Sequence, residues 1–151
     1  MIDGVEVKKL EMALGTRGVD MEILREDEPF FNRFGQLYMS SLYPGTIRGW
    51  HLHKRKHDYL ACLRGMIKLV LHDARQDSPT YGEVNELFVG EFNPLLVHVP
   101  PGVHHGMKCI SHYEALMINC PSEPRCAENP DEFGEPVDGS TIPYDWEIKF
   151  H

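Results

Sequence analysis

Three histidines and an aspartate crowd one short stretch of this chain, His51, His53, His57 and Asp58, between Gly45 and Gly65. On an extended strand, residues two apart project from the same face, so His51 and His53 point together. Imidazoles on the inner face of a sheet are costly to bury without partners or a task. A second pair, His104 and His105, follows the turn Pro100-Pro101-Gly102. Adjacent strand residues face opposite ways, and His104 is expected to be the outward member. Two chemistries are open to such a set. An imidazole exchanges protons near neutrality and can serve as a general base. Alternatively, His51, His53, His57 or Asp58, and His105 could supply nitrogen and oxygen ligands to a divalent metal such as Zn, Fe, Mn or Ni.

The elements that must position these residues read as strands. Tyr59, Ala61 and Leu63 continue one face and Leu60, Cys62 and Arg64 the other, while Met66 to His72 sets Ile67, Leu69 and Leu71 against Lys68, Val70 and His72. Glu86 to Val89, Leu95 to Val99, Gly106 to Ile110 and Ala115 to Asn119 add further short strands, and Gln36 to Tyr43 precedes the histidines. Upstream, Val5 to Met12 and Val19 to Leu24 read as strands around the turn Gly15-Thr16-Arg17-Gly18, and Phe30 to Gly35 as at most one helical turn. Short, evenly spaced strands separated by Gly, Pro and Asn clusters predict an all-β sandwich or barrel, and the double-sheet jelly roll fits their number. From residue 120 to 151 the alternation stops, and Pro121, Pro124, Pro130 and Pro136 punctuate an irregular acidic tail. A loop that long is expected to be functional or packed over something.

The chain has 151 residues, a length that predicts one domain spanning residues 1–151, and a formal net charge of −8. That balance argues against nucleic acid as the main partner, which requires a basic face. Lys54-Arg55-Lys56 is a local basic cluster, more simply a solvated loop, although it can serve one anionic ligand. Four cysteines show no Cys-x-x-Cys spacing, and Cys62, Cys109 and Cys120 read as small core residues. With no membrane-length apolar run and no signal peptide, a cytoplasmic protein is expected. Trp50 and Tyr59 could stack on a ligand, with core packing at least as good a reading.

Together these segments carry a resemblance. Gly45-(5)-His51-Leu52-His53-(4)-Asp58-(6)-Gly65 resembles the first cupin motif, with Asp in place of the usual Glu, and Pro100-Pro101-Gly102-(2)-His105 resembles the second. Arg48-Gly49-Trp50-His51, the block Asp73-Ala74-Arg75-Gln76-Asp77-Ser78-Pro79-Thr80-Tyr81-Gly82 and the tail Ile142-Pro143-Tyr144-Asp145-Trp146 resemble the dTDP-4-dehydrorhamnose 3,5-epimerase family. The resemblance implies a cupin jelly roll with the tail crossing the barrel mouth. It also implies a homodimer paired through sheet edges and N-terminal strands, no cofactor, and a nucleoside-diphosphate 4-keto-6-deoxyhexose as substrate in deoxysugar or cell-surface polysaccharide synthesis. His51 then matches the catalytic base, Asp138 its partner carboxylate and His105 the second pocket histidine. Arg48 matches a substrate-contacting arginine, and His53, Lys54, Asp58 and Arg125 fall among the expected substrate-binding positions.

Two departures stand out. The family's lysine has no counterpart, His57 or Asp58 falling at its position in a shortened loop. Arg125 falls where the family has its catalytic tyrosine, and a permanent cation is a poor proton donor. Proton return would then rely on water, Tyr113 or Tyr144, with epimerisation at a single carbon, exchange without full inversion, or ketoisomerisation expected in that order. Two further readings stay open: a sugar 3,4-ketoisomerase, which Arg48-Gly49-Trp50-His51-Leu52-His53-Lys54 resembles, and a non-catalytic sugar-binding cupin.

Overall fold

The structure, a computed structural model, describes residues 1–148. Among the described residues, twelve strands form in chain order: β1 (Glu6–Lys9), β2 (Met12–Gly15), β3 (Gly18–Met21), β4 (Tyr38–Leu42), β5 (Ile47–Leu52), β6 (Asp58–Arg64), β7 (Met66–Asp73), β8 (Val84–Gly90), β9 (Leu95–Val99), β10 (Val103–Cys109), β11 (Ala115–Asn119) and β12 (Phe133–Gly134). Two five-stranded sheets run β1-β9-β6-β11-β4 and β12-β5-β10-β7-β8, and every pairing is antiparallel. This is the expected all-β jelly roll of the cupins. No helix among the described residues is long and apolar enough to cross a membrane.

Alternation decides the packing. Ile67, Leu69 and Leu71 of β7 are fully buried and meet Leu60 and Cys62 of β6 and Val97 and Val99 of β9 in the inter-sheet core. Each such aliphatic side chain contributes about 1.5–3 kcal/mol by leaving water. Tyr59 and Ala61 point the other way, where Ile23, Leu24, Phe30 and Phe31 cover the outer face of the first sheet. Both large aromatics in question are therefore packing residues: Tyr59 lies in this outer cluster and Trp50 in a third cluster with Trp146 and Ile142. Gly106 makes room for the latter, since a Cβ there would come within 3.0 Å of the Trp146 ring. The tail sequence Ile142-Pro143-Tyr144-Asp145-Trp146 thus seals the outer face of the second sheet.

The N-terminal expectation needs correction. Val5 to Met12 is not one strand: β1 pairs with β9 at the sheet edge, then Leu10 is buried with its N–H on the carbonyl of Pro94, and the chain leaves the sheet. β2 and β3 form a separate hairpin around residues 16–17. The expected strand from Val19 ends at Met21, because Ile23 and Leu24 bury themselves against the first sheet instead of pairing. No helical turn forms between residues 30 and 35.

Candidate functional site

A cavity of about 530 Å³ opens between the two sheets. His51 and Arg48 reach it from β5, His105 from β10, Asp58 from β6, Tyr38 from β4 and Asn119 from β11. The two sequence motifs are joined directly. Gly102, with φ of +83°, turns the chain so that its N–H donates to the carbonyl of His53 at 2.7 Å. His51 and His105 are then opposite each other across β5 and β10, their ring centroids 5.5 Å apart.

Asp58 is the electrostatic centre, 1% exposed. Its carboxylate accepts from Asn119 Nδ2 at 2.7 Å and lies 3.1 Å from His53 Nε2 and 3.6 Å from His105 Nε2. The other nitrogen of His53 faces the carbonyl of Asp131. Burial alone would lower the pKa of His53, but the hydrogen bond and charge of Asp58, with the Asp131 carbonyl and Glu132, outweigh it and hold the imidazole at about 9. His53 is an imidazolium at neutral pH. Burial would raise Asp58 in turn, and the same histidine contact keeps it ionised, at about 2. His105, fully enclosed, is pushed down to about 4 and stays neutral. His51 is exposed and lines the cavity. Burial and the charge of His53 lower it, against the pull of Glu132 and Asp58, so it is a free base at neutral pH.

The tail builds the other wall, as its length suggested. β12 adds to the edge of β5, with Phe133 opposite Leu52 and Gly134 opposite His51. Asp131, 1% exposed, collects the backbone N–H groups of Lys54, Arg55 and Lys56 at 2.9 to 3.0 Å. Ser122 closes the same loop from its other end, exchanging hydrogen bonds with the backbone of His57 at 2.9 Å. This clamp turns Lys56 inward. It is 5% exposed, lines the cavity and bonds Glu132 at 3.2 Å. The loop is therefore not simply solvated.

Several expected site residues lie elsewhere. Lys54 does not line the cavity; its ammonium sits 4.1 Å above the Phe133 ring. His57 faces outward and meets His98, with Nδ1 and Nε2 2.8 Å apart. Asp138 is exposed in a turn, and the tail carboxylate that lines the cavity is Glu132. Tyr113 and Tyr144 are likewise outside, hydrogen-bonded to Glu91 and Glu86. Arg125 does line the cavity, its backbone N–H donating to Gln36 Oε1 at 2.7 Å. His104 is the outward member of its pair and meets His72 on the opposite face from His105. The donor atoms of His53, Asp58 and His105 lie within 4.8 Å of one another, and this trio could hold a metal ion.

None of the residues from Asp73 to Gly82 lines the cavity. Asp73, fully buried, accepts from Arg75, Ser78 and Thr80 and locks the turn between β7 and β8. Arg75 continues to the carbonyl of Asp3, tying the N-terminus to that turn.

Comparison with known proteins agrees with this architecture. The profile of the dTDP-4-dehydrorhamnose 3,5-epimerase family matches residues 1–148. The spore coat polysaccharide biosynthesis protein SpsL of Bacillus subtilis (strain 168) is 37% identical over 150 residues, covering 99% of both chains. The dTDP-4-dehydrorhamnose 3,5-epimerase of Methanothermobacter thermautotrophicus is 29% identical over 157 residues, covering 98% of this chain and 82% of its own. The crystal structure of a dTDP sugar isomerase from Desulfovibrio desulfuricans G20 superposes with a TM-score of 0.89 at 29% identity, over 96% of this chain and 92% of that one. The chain belongs to the dTDP-4-dehydrorhamnose 3,5-epimerase family, whose members are isomerases that epimerise nucleotide sugars.

Proposed function

We propose that the protein epimerises a nucleoside-diphosphate 4-keto-6-deoxyhexose, with His51 removing a proton from the carbon next to the C4 ketone. The observation that carries this is a neutral, solvent-accessible imidazole in a cavity whose other walls carry cations. Abstraction α to a carbonyl moves negative charge onto the carbonyl oxygen, and a fixed cation nearby lowers that barrier. Lys56, held inward by the Asp131 clamp, and Arg48 are the groups placed to do this. Lys56 takes the part that the sequence left without a lysine. Arg48 and Arg125 suit the diphosphate, since a guanidinium can bond phosphate oxygens in pairs. Glu132 occupies the role expected of Asp138, a tail carboxylate that favours the imidazolium formed on His51. His53 spends both nitrogens on Asp58 and Asp131, and so shapes the field without reaching the sugar.

The test is to incubate dTDP-4-keto-6-deoxyglucose with the protein in D₂O and follow C3 and C5 by NMR. Deuterium entry that disappears in His51→Ala is the expected result. No exchange at either carbon would leave a sugar-binding protein in place of an enzyme.

A second reading rests on the His53–Asp58–His105 trio, which has the donor types of a divalent transition-metal site. Our reading is metal-free, as the family resemblance implies, with Asp58 accepting from Asn119 and lying 3.1 Å from His53. Stoichiometric Zn, Fe, Mn or Ni surviving dialysis, with activity lost on chelation, would replace it. We further place the protein in the cytoplasm, in synthesis of a deoxysugar for a cell-surface polysaccharide, a setting consistent with the name of its Bacillus relative. It acts there as a homodimer. The β2–β3 hairpin supports the dimer: Leu14 is 80% exposed and Val19 51%, and a lone two-stranded ribbon is marginal in water. A monomeric mass at micromolar concentration would exclude it.

A further inference from the structure

Epimerisation needs a proton returned to the face opposite the one that lost it, and neither Arg125, Tyr113 nor Tyr144 offers that proton. Tyr38 is the one tyrosine, among the described residues, that lines the cavity. It comes from β4 in the first sheet, whereas His51 comes from β5 in the second, so the two reach the same space from opposing sheets.

The hydrogen-bond pattern decides what the Tyr38 hydroxyl can do. Asn119 is directly opposite Tyr38 across β11 and β4. Its Oδ1 accepts the backbone N–H of Tyr59 at 3.1 Å, which fixes the orientation of the amide. Nδ2 therefore faces away, and its two hydrogens are both committed. One goes to Asp58 Oδ1 at 2.7 Å and the other to the Tyr38 oxygen at 3.0 Å. Because the Tyr38 oxygen accepts, its own O–H is not spent on Asn119 and is left for a group in the cavity that Tyr38 lines. Burial, with Asp58 and Glu132, raises the pKa of the phenol and keeps it protonated before the reaction; the Asn119 bond and the charge of Arg48 act the other way. Those last two are the groups that would stabilise a phenolate.

We infer that Tyr38 is the general acid that protonates the substrate carbon on the face away from His51. This rests on the epimerase reading given above. In the step, His51 takes the proton from the carbon next to the ketone, and the C–H electron pair becomes the enolate. The enolate carbon then takes the O–H proton of Tyr38 on its opposite face, and the ketone re-forms. Tyr38 regains a proton from water, and His51 releases its own. No oxidant, reductant or cofactor enters the balance.

The experiment separates exchange from inversion. In D₂O, the wild-type protein and Tyr38→Phe are given dTDP-4-keto-6-deoxyglucose, and deuterium entry and stereochemistry at C3 and C5 are read by NMR. Loss of a general acid costs about 10²–10⁴-fold in the step it serves. The expected result is that Tyr38→Phe keeps His51-dependent loss of the substrate proton, with deuterium returned to the face it left, while inversion falls by about that factor. Retained exchange also shows that the variant is folded and binds substrate. Inversion unchanged in Tyr38→Phe would overturn the assignment, and so would exchange and inversion falling in parallel, which is the signature of a binding or structural role. Absence of exchange in the wild-type protein is a different outcome. It would overturn the epimerase reading and this inference with it.

Discussion

Two sets of histidines lie on the inner and outer sides of the two sheets, and they differ in what they meet. The inner set, His51, His53 and His105, faces a cavity with Asp58 and Glu132. There one ring is held as a cation at about 9, while another is pushed down to about 4. The outer pairs, His57 with His98 and His72 with His104, mainly meet each other and aromatic rings. His98 stacks between Phe30, His57 and Tyr59, with centroids 5.1 to 5.9 Å apart. All four outer rings are shifted downward, by burial first. Residue type is the same in both sets. A buried carboxylate 3.1 Å from a ring on one side, against carboxylates that act on the outer rings only as more distant charges, separates a reactive site from packing.

The sharpest break of that comparison is kinetic. His51→Ala should reduce deuterium exchange next to the ketone by at least about 10²-fold, since it removes the base itself. His104→Gln, one strand position from His105 but on the other face, should stay within about threefold of wild type. Equal losses would show that the inner set has no special chemical role. Next in size is Asp58→Asn. Removing one partner of a buried charged pair costs about 3–5 kcal/mol, visible in the urea midpoint. It should also drop His53 from about 9 toward its ordinary value, because burial is then opposed only by the Asp131 carbonyl and Glu132. An NMR titration of the His53 ring reads this. A His53 that stays high would move the cause from Asp58 to Glu132 and the Asp131 carbonyl.

What could be read in advance follows the same division. Ala115 to Asn119 and Leu95 to Val99 were legible to the residue, because one apolar face against another leaves a period of two. His51 and His105 were legible because their spacing within short strands determines their face. Lys56 was not: three consecutive basic residues read as solvent-facing, and only the Asp131 carboxylate under their backbone turns one inward. Asp131 and Glu132 lie in a tail with no periodicity, placed by pairing with β5. Tyr38 gains its meaning from Asn119, a partner known only once β4 and β11 are in register. The block around Asp73, most specific as a family signature, turned out to hold a loop.

Asp131→Ala tests the clamp and should have a smaller effect than Asp58→Asn. Three backbone donors lose a charged acceptor, for a loss of about 2 kcal/mol after water replaces part of it. The informative readout is the catalytic one. Freed from the clamp, Lys56 should leave the cavity, and kcat for exchange should fall more than KM rises. A change in KM alone would assign Lys56 to substrate binding and not to the developing oxyanion.

The smallest effect is a pH profile, and in it the two histidine sets should pull in opposite directions. His53 has a raised pKa, so its contribution to stability is complete below its ordinary value of 6.5 and is lost as the pH climbs toward about 9. His98 is held down at about 4, and His72 and His104 are lowered, each by burial. As the pH falls below 6.5, the unfolded chain binds protons at these rings before the native protein does, and stability falls. His51 and His105 are lowered too and add to that acid limb. Asp58, at about 2, enters only below about pH 4. Urea midpoints should therefore peak near neutrality and decline on both sides. Asp58→Asn should flatten the alkaline limb, because His53 then loses its largest raising partner and titrates nearer its ordinary value. His72→Gln should soften the acid limb slightly and leave the alkaline one alone, since its ring is half-buried and meets another histidine, with Asp73 and Glu135 pulling the other way. If His72→Gln instead changed the alkaline limb, the inner and outer sets would be coupled through the sheet, and the separation drawn between the two faces would fail.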